Sequence, residues 1–240
     1  MMLFDKHKKQ SEHRDNVIII NEPGYEKITE SFNRLKDNIL YLNADNNMNV
    51  IAVSSSIPNE GKTTVITNLA VSLASNGKKV IIVDCDLRKP KVHRTFNMDN
   101  SLGIRDYIID NCKLEEIIKK AELYNVSVVC SGKKIENSSA IFTSEKFKSM
   151  IKELKNTYDY VFLDCPPILE ISDYINISTI ANGIIFCVAY GKTKKVQVKE
   201  AINMLKQRKI NVLGTVYTMV DEKMIRLKLG YYYTNYNDAD

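Results

Sequence analysis

The chain has 240 residues, 44% of them hydrophobic and 26% charged, and carries a formal net charge of +5. That length supports one substantial core without division into two, so a single domain is expected. Lysines and arginines are dispersed and paired with acids, which suits anionic ligands or a membrane surface and excludes the strongly basic footprint of a dedicated nucleic-acid binder.

The first sixteen residues are polar and lack the apolar centre of a signal peptide. No stretch approaches the roughly 18 apolar residues of a membrane-spanning helix. The expectation is a cytoplasmic protein, soluble by itself, that meets a membrane only through a partner. Ile28, Phe32, Leu35 and Ile39 recur at helical spacing and predict an N-terminal helix ahead of the core units. Short runs rich in Val and Ile then follow at Val50–Ser54, Val80–Val83, Val126–Cys130, Tyr160–Leu163, Ile184–Ala189 and Val212–Val216. Helical spacing lies between them, as in Val65, Leu69 and Leu73 before Asn76-Gly77, and in Phe147, Ile151, Leu154 and Tyr158. Strands apolar on both faces that alternate with helices predict an α/β fold with a doubly wound, mostly parallel sheet covered by helices on both faces. The boundaries predicted are an extension at 1–27, one domain at 28–229 and a mobile tail at 230–240.

Ser54 to Thr64 follows the first strand directly and opens a helix expected over Thr64 to Asn76. Within it Pro58, Asn59, Glu60, Gly61, Lys62, Thr63 and Thr64 form a P-loop, with Ser56 at the usual first glycine of G-x-x-x-x-G-K-[ST]. Backbone N–H groups at a helix start converge on anions, so a polyphosphate belongs at this junction. The motif directs Lys62 to the β and γ phosphates and the Thr63 hydroxyl to Mg²⁺. The second strand runs into Asp84-Cys85-Asp86-Leu87-Arg88, and alternation aims both carboxylates to one side. The strand at Tyr160 ends in Asp164-Cys165-Pro166-Pro167. Strand C-termini face the ligand crevice of a parallel sheet, so Asp84, Asp86 and Asp164 are expected to converge near the loop. Mg²⁺ is a hard ion that prefers such oxygens, and a carboxylate not neutralised by metal can accept a proton from a hydroxyl. The five cysteines show no metal-like spacing and are expected to be reduced core thiols.

From about Glu30 to Tyr236 the chain resembles the bacterial tyrosine kinases (BY-kinases) of capsule and exopolysaccharide synthesis. The resemblance rests on Ser56–Thr64, Asp84–Pro90 and Asp164–Pro167, with Asn100–Ile108, Asp173 and Thr193 also similar. It implies a P-loop NTPase-like fold and transfer of the γ-phosphate of ATP to tyrosine. Lys62 and Thr63 would bind phosphate and metal, Asp84 would deprotonate or position the attacking tyrosine, and Asp86 and Asp164 would hold Mg²⁺. Arg88 and Lys89 would stabilise negative charge. Tyr231, Tyr232, Tyr233 and Tyr236 resemble the family's autophosphorylation tail. The partners implied are a membrane-anchored activator, a cognate tyrosine phosphatase, and further copies of the chain through Glu30, Asn33 and Lys36, where the family usually has arginine at the last two. Thr218 stands where the family has an asparagine that reads adenine, and Asn59 replaces a common glycine. The partitioning and septum-positioning ATPases share the fold but carry a lysine four residues before the loop glycine, where this chain has Ile57. A nucleotide switch of that type, or a nucleotide-binding scaffold with weakened catalysis, remains the alternative.

Overall fold

The computed structural model describes residues 18–46, 48–110, 112–133, 135 and 138–220. In chain order the elements are α1 (Glu26–Asn46), β1 (Val50–Ser55), α2 (Lys62–Ser75), β2 (Val80–Asp84), α3 (Val92–Thr95), α4 (Ile104–Ile109), α5 (Leu114–Ile117), β3 (Ile118–Ala121) and β4 (Val126–Val129). They continue with α6 (Ser139–Thr143), α7 (Glu145–Thr157), β5 (Tyr160–Asp164), α8 (Asp173–Ser178), β6 (Gly183–Ala189), α9 (Lys195–Gln207) and β7 (Val212–Thr218). The seven strands form one sheet ordered β3-β4-β2-β5-β1-β6-β7, parallel except where β3 meets β4.

Strand alternation divides the core between the two faces of this sheet. Val50, Ala52, Ile81 and Val83 point to one side, where Phe147, Ile151 and Leu154 of α7 and Ala201 and Leu205 of α9 cover them. Ile51, Val53 and Ile82 point to the other, against Val65, Ile66, Leu69 and Leu73 of α2 and Ile39 of α1. This is the doubly wound arrangement expected. The side chains of Phe162 and Phe186 are fully buried, and truncation of such a ring to Ala costs about 3–5 kcal/mol. Ile18 and Ile20 are buried in the α2 layer, and Ile19 N–H donates to Asn68 Oδ1 at 2.7 Å, so the packed unit reaches back past the expected boundary at residue 28.

The six expected strands form with shifts of one or two residues at their ends. Strand β3 escapes the apolar-run criterion because Ile118-Lys119-Lys120-Ala121 carries two lysines and only Ala121 is buried. It is an edge strand, where lysine is tolerated and useful. Helix α2 begins at Lys62, two residues before the expected start. Gly61 precedes it in the left-handed region at φ 80°, and Val65 N–H donates to the Gly61 carbonyl at 2.8 Å. The four cysteines Cys85, Cys130, Cys165 and Cys187 are buried, and all five are free thiols. Burial pushes the Cys85 and Cys165 thiols well up, which leaves them unreactive.

Candidate nucleotide and phosphoryl-transfer site

Strand β1 lies inside the sheet, between β5 and β6, so its C-terminus opens beside Asp164 of β5. The chain then turns through Ser56–Gly61 into α2. Asn59 supplies a left-handed residue at φ 60°, which asparagine accepts more readily than most side chains, so the missing glycine is accommodated. Pro58, Asn59, Gly61, Lys62 and Thr63 form one wall of a cleft of about 320 Å³. Asp86, Arg88, Lys89 and Lys91 form the second wall, and Pro167, Glu170 and Ile171 the third.

At the base, Thr63 Oγ1 donates to Asp164 Oδ2 at 2.7 Å. Asp164 is 1% exposed, and its other oxygen, Oδ1, is buried without a hydrogen-bond partner among the described residues. A buried acceptor without a donor is costly, and a bound cation would answer it. Burial raises the Asp164 carboxyl to about 6, against the opposing pull of Lys62 and the Thr63 hydroxyl. The residues therefore fit Mg²⁺: a hydroxyl and a carboxylate, both hard oxygen donors, at the foot of a phosphate loop. Among the described residues no three acidic, His or Cys side chains form a ready-made cage. Mg²⁺ often keeps several waters and takes phosphate oxygens from a nucleotide, so it needs few protein ligands.

Asp84 and Asp164 are register partners on neighbouring strands. Asp84 is fully buried, and desolvation raises its carboxyl well above 3.8, with Asp164 and then Asp86 adding to the effect. Its Oδ1 accepts from Asp86 N–H at 3.3 Å, and its Oδ2 from Lys91 N–H at 3.2 Å and Val92 N–H at 3.1 Å. The carboxylate thus ties the turn at 84–92 to the end of β2. The alternation that was expected to align Asp84 with Asp86 does not apply, because β2 ends at Asp84 and Asp86 lies in the turn beyond it. Asp86 reaches the cleft by that turn, while Asp84 lies beneath the lining.

Two expected nucleotide-binding residues are placed differently by their side chains. Glu60 is fully buried and faces the protein, where it accepts from Ile57 N–H at 2.7 Å and Ala189 N–H at 3.2 Å. Thr64 lies on a second, mostly apolar hollow of about 530 Å³ with Gly61, Val65, Phe32, Leu35, Thr218 and Met219. This hollow shares Gly61 with the phosphate cleft. Arg88 and Lys89 are exposed on the cleft wall with no ion pair among the described residues, and Lys91 Nζ donates to Asn59 Oδ1 at 3.1 Å. Sequence reasoning did not single out Lys91 or Glu170. Lys91 was findable as a cation seven residues beyond Asp84 in the same turn, whereas nothing around Glu170 marked it.

On α1, Glu30 pairs with Arg34, Asn33 Oδ1 accepts from the Ser72 hydroxyl at 3.1 Å, and Lys36 is half-buried beside Asp37 at 3.7 Å. Tyr231, Tyr232, Tyr233 and Tyr236 lie outside the described residues.

A parallel sheet with this loop at one strand end, an aspartate at the next and a lysine-threonine pair opening the following helix defines a P-loop NTPase-like protein. Residues 48–213 match the family described as AAA domain. The chain is 32% identical over 223 residues to tyrosine-protein kinase YwqD of Bacillus subtilis, covering 92% of this chain and 93% of that one. It superposes on the chimerical protein CapA2B2 with a TM-score of 0.81 at 28% identity, covering 85% of this chain and 90% of that one. The septum site-determining protein MinD of Pyrococcus horikoshii, complexed with Mg-ADP, gives a TM-score of 0.60 at 25% identity over 70% of this chain and 69% of its own. The chain belongs to the bacterial tyrosine kinase family, and with it to the protein-tyrosine kinases.

Proposed function

We propose that this chain transfers the γ-phosphate of magnesium-bound ATP to its own C-terminal tyrosines, Tyr231, Tyr232, Tyr233 and Tyr236, and thereby regulates capsular or exopolysaccharide synthesis. The observation that carries the reading is the unpartnered, buried Oδ1 of Asp164 beside the Thr63 hydroxyl at the foot of the phosphate loop. Lys62 and the loop N–H groups hold the phosphates, Thr63 and Asp164 hold the metal with Asp86 on the facing wall, and Arg88 and Lys89 neutralise charge on the moving phosphoryl group. Bound Mg²⁺ supplies charge neutralisation and alignment, which is most of what phosphoryl transfer requires. Asp84, beneath the lining, positions the attacking tyrosine through the turn that it fastens, with Asp86 left to the metal. The hollow at Thr64, Thr218 and Met219 receives the nucleoside.

The four tyrosines are close together near the chain end and can be presented one after another to a neighbouring copy. Each phosphate added there brings about −1.5 to −2 charge. No helix among the described residues is long and apolar enough to cross a membrane. An anchored activator holds the chain at the inner face of the cell membrane. A tyrosine phosphatase reverses the reaction, and copies associate through α1, where Asn33 is already engaged with Ser72 and Glu30 remains exposed.

The test is incubation with magnesium-ATP and activator followed by the intact mass of the tail peptide. Additions of one phosphate mass each on the peptide spanning 231–236 are expected. ATP consumption with an unmodified tail would instead support the partitioning-type switch, and neither event would support the scaffold.

A further inference from the structure

We infer that Glu60 is a positioning residue, a clasp that holds the phosphate loop in its binding shape by fastening it to the β6–β7 edge of the sheet, with Thr193 as its partner. Glu60 sits in the middle of the loop yet is 0% exposed, and no lysine or arginine pairs with it among the described residues. Its carboxylate is satisfied by hydrogen bonds alone. Oε2 accepts from Ile57 N–H within the loop at 2.7 Å, while Oε1 accepts from Ala189 N–H at the end of β6 at 3.2 Å and from the Thr193 hydroxyl.

The same junction is fastened a second time through the backbone. Thr218 Oγ1, at the end of β7, donates to the Glu60 carbonyl at 2.8 Å. A Cβ on Gly61 would stand only 3.2 Å from the Thr218 methyl, so loop and strand are in close contact there. Two strands beyond β1 therefore grip the residue just before Gly61-Lys62-Thr63. Burying a carboxylate without a cation is expensive unless several donors converge on it, and an ordinary βα turn needs no such arrangement. The cost is offset by a fixed loop, because phosphate is recognised by backbone N–H groups whose directions must be set before the ligand arrives.

Thr193 separates this role from direct contact. It lines neither the phosphate cleft nor the hollow at Thr64, so any effect on nucleotide must pass through Glu60. The inference rests on reading the loop as a nucleotide site. The experiment is titration of the full chain with a fluorescent ADP and Mg²⁺, comparing Thr193→Val, which keeps the shape without the hydroxyl, with Thr193→Ser, which keeps the hydroxyl. Loss of one hydrogen bond to a charged group is expected to weaken binding about tenfold in Thr193→Val, and Thr193→Ser is expected to remain within about twofold of the unaltered chain. An unchanged Kd in Thr193→Val, even with a lower melting temperature, overturns the clasp and leaves a structural hydrogen bond. If that variant does not fold, Glu60→Gln decides, since the side chain at 60 lines neither hollow and the change keeps its length while leaving Ile57 N–H and Ala189 N–H a weaker, uncharged acceptor. Weaker binding supports the clasp and an unchanged Kd refutes it. Absence of binding by the unaltered chain would instead refute the nucleotide reading itself.

Discussion

Thr63 donates its hydroxyl proton to one oxygen of Asp164 across 2.7 Å, while the other Asp164 oxygen is buried with no hydrogen-bond partner among the described residues. The pair joins the start of α2 to the end of β5 and leaves a buried oxygen that a bound cation would satisfy.

The pH dependence of stability follows from Asp164. Its carboxyl is raised to about 6 from the usual 3.8, so the folded chain binds this proton more tightly than the unfolded one. The stability it contributes is full below 3.8 and is lost as pH rises through about 6. Urea unfolding of metal-free protein is expected to show a decline of about 1–3 kcal/mol from Asp164 across that window, and Asp164→Asn should reduce the slope to the part that buried Asp84 contributes. Affinity for magnesium-ADP should run the other way and fall as pH drops below about 6, because the protonated carboxyl cannot hold the metal. A pH-independent affinity would remove Asp164 from the metal site.

Lys62→Met should abolish tyrosine phosphorylation in the presence of activator, with a loss of at least about 100-fold, the scale found when one preorganised charge-stabilising group is removed. Lys62 is 8% exposed and in no ion pair among the described residues, so the fold should survive the change. Anti-phosphotyrosine blotting together with a melting curve checks both halves. Persistent phosphotyrosine in a folded variant would sink the mechanism.

Asp84 and Asp86 should separate in stability although both matter to the reaction. Asp84→Ala leaves the N–H groups of Asp86, Lys91 and Val92 without their acceptor and should cost about 1–3 kcal/mol. Asp86→Ala removes a cleft carboxylate that, among the described residues, accepts only from Lys89 N–H at 3.0 Å, and should change stability by less than about 1 kcal/mol. Denaturant midpoints measured beside phosphorylation rates make the distinction. Equal destabilisation would mean that the turn at 84–92 is not anchored by Asp84.

Replacing Tyr231, Tyr232, Tyr233 and Tyr236 together by Phe should eliminate phosphotyrosine and leave the Kd for magnesium-ADP within about twofold, since the loop and its metal site contain none of them. The measurement pairs phosphate mapping by mass spectrometry with nucleotide titration. Phosphate found on other tyrosines of this variant would show that the tail is not the acceptor.

The sequence by itself determined the sheet, the loop and the aspartate at the end of β5. Six Val- and Ile-rich runs have to be buried on both faces, and Gly61-Lys62-Thr63 between a strand and a helix has few other uses. Those signals are local, carried by periodicity and by residues adjacent in the chain. It did not determine strand β3, whose apolar content is too small to stand out and which is recruited by hydrogen bonds to β4. Nor did it determine which way individual side chains face within the loop. Glu60 and Lys62 are two residues apart in one motif, yet one is turned to Ala189 and Thr193 and the other to the cleft. Asp84 and Asp86 look equivalent as spaced acids, but only the end of β2 makes one an anchor and the other a cleft wall. The donors that decide these orientations come from positions as far away as Ala189 and Thr193, and only the packing of β6 and β7 beside β1 brings them to the loop.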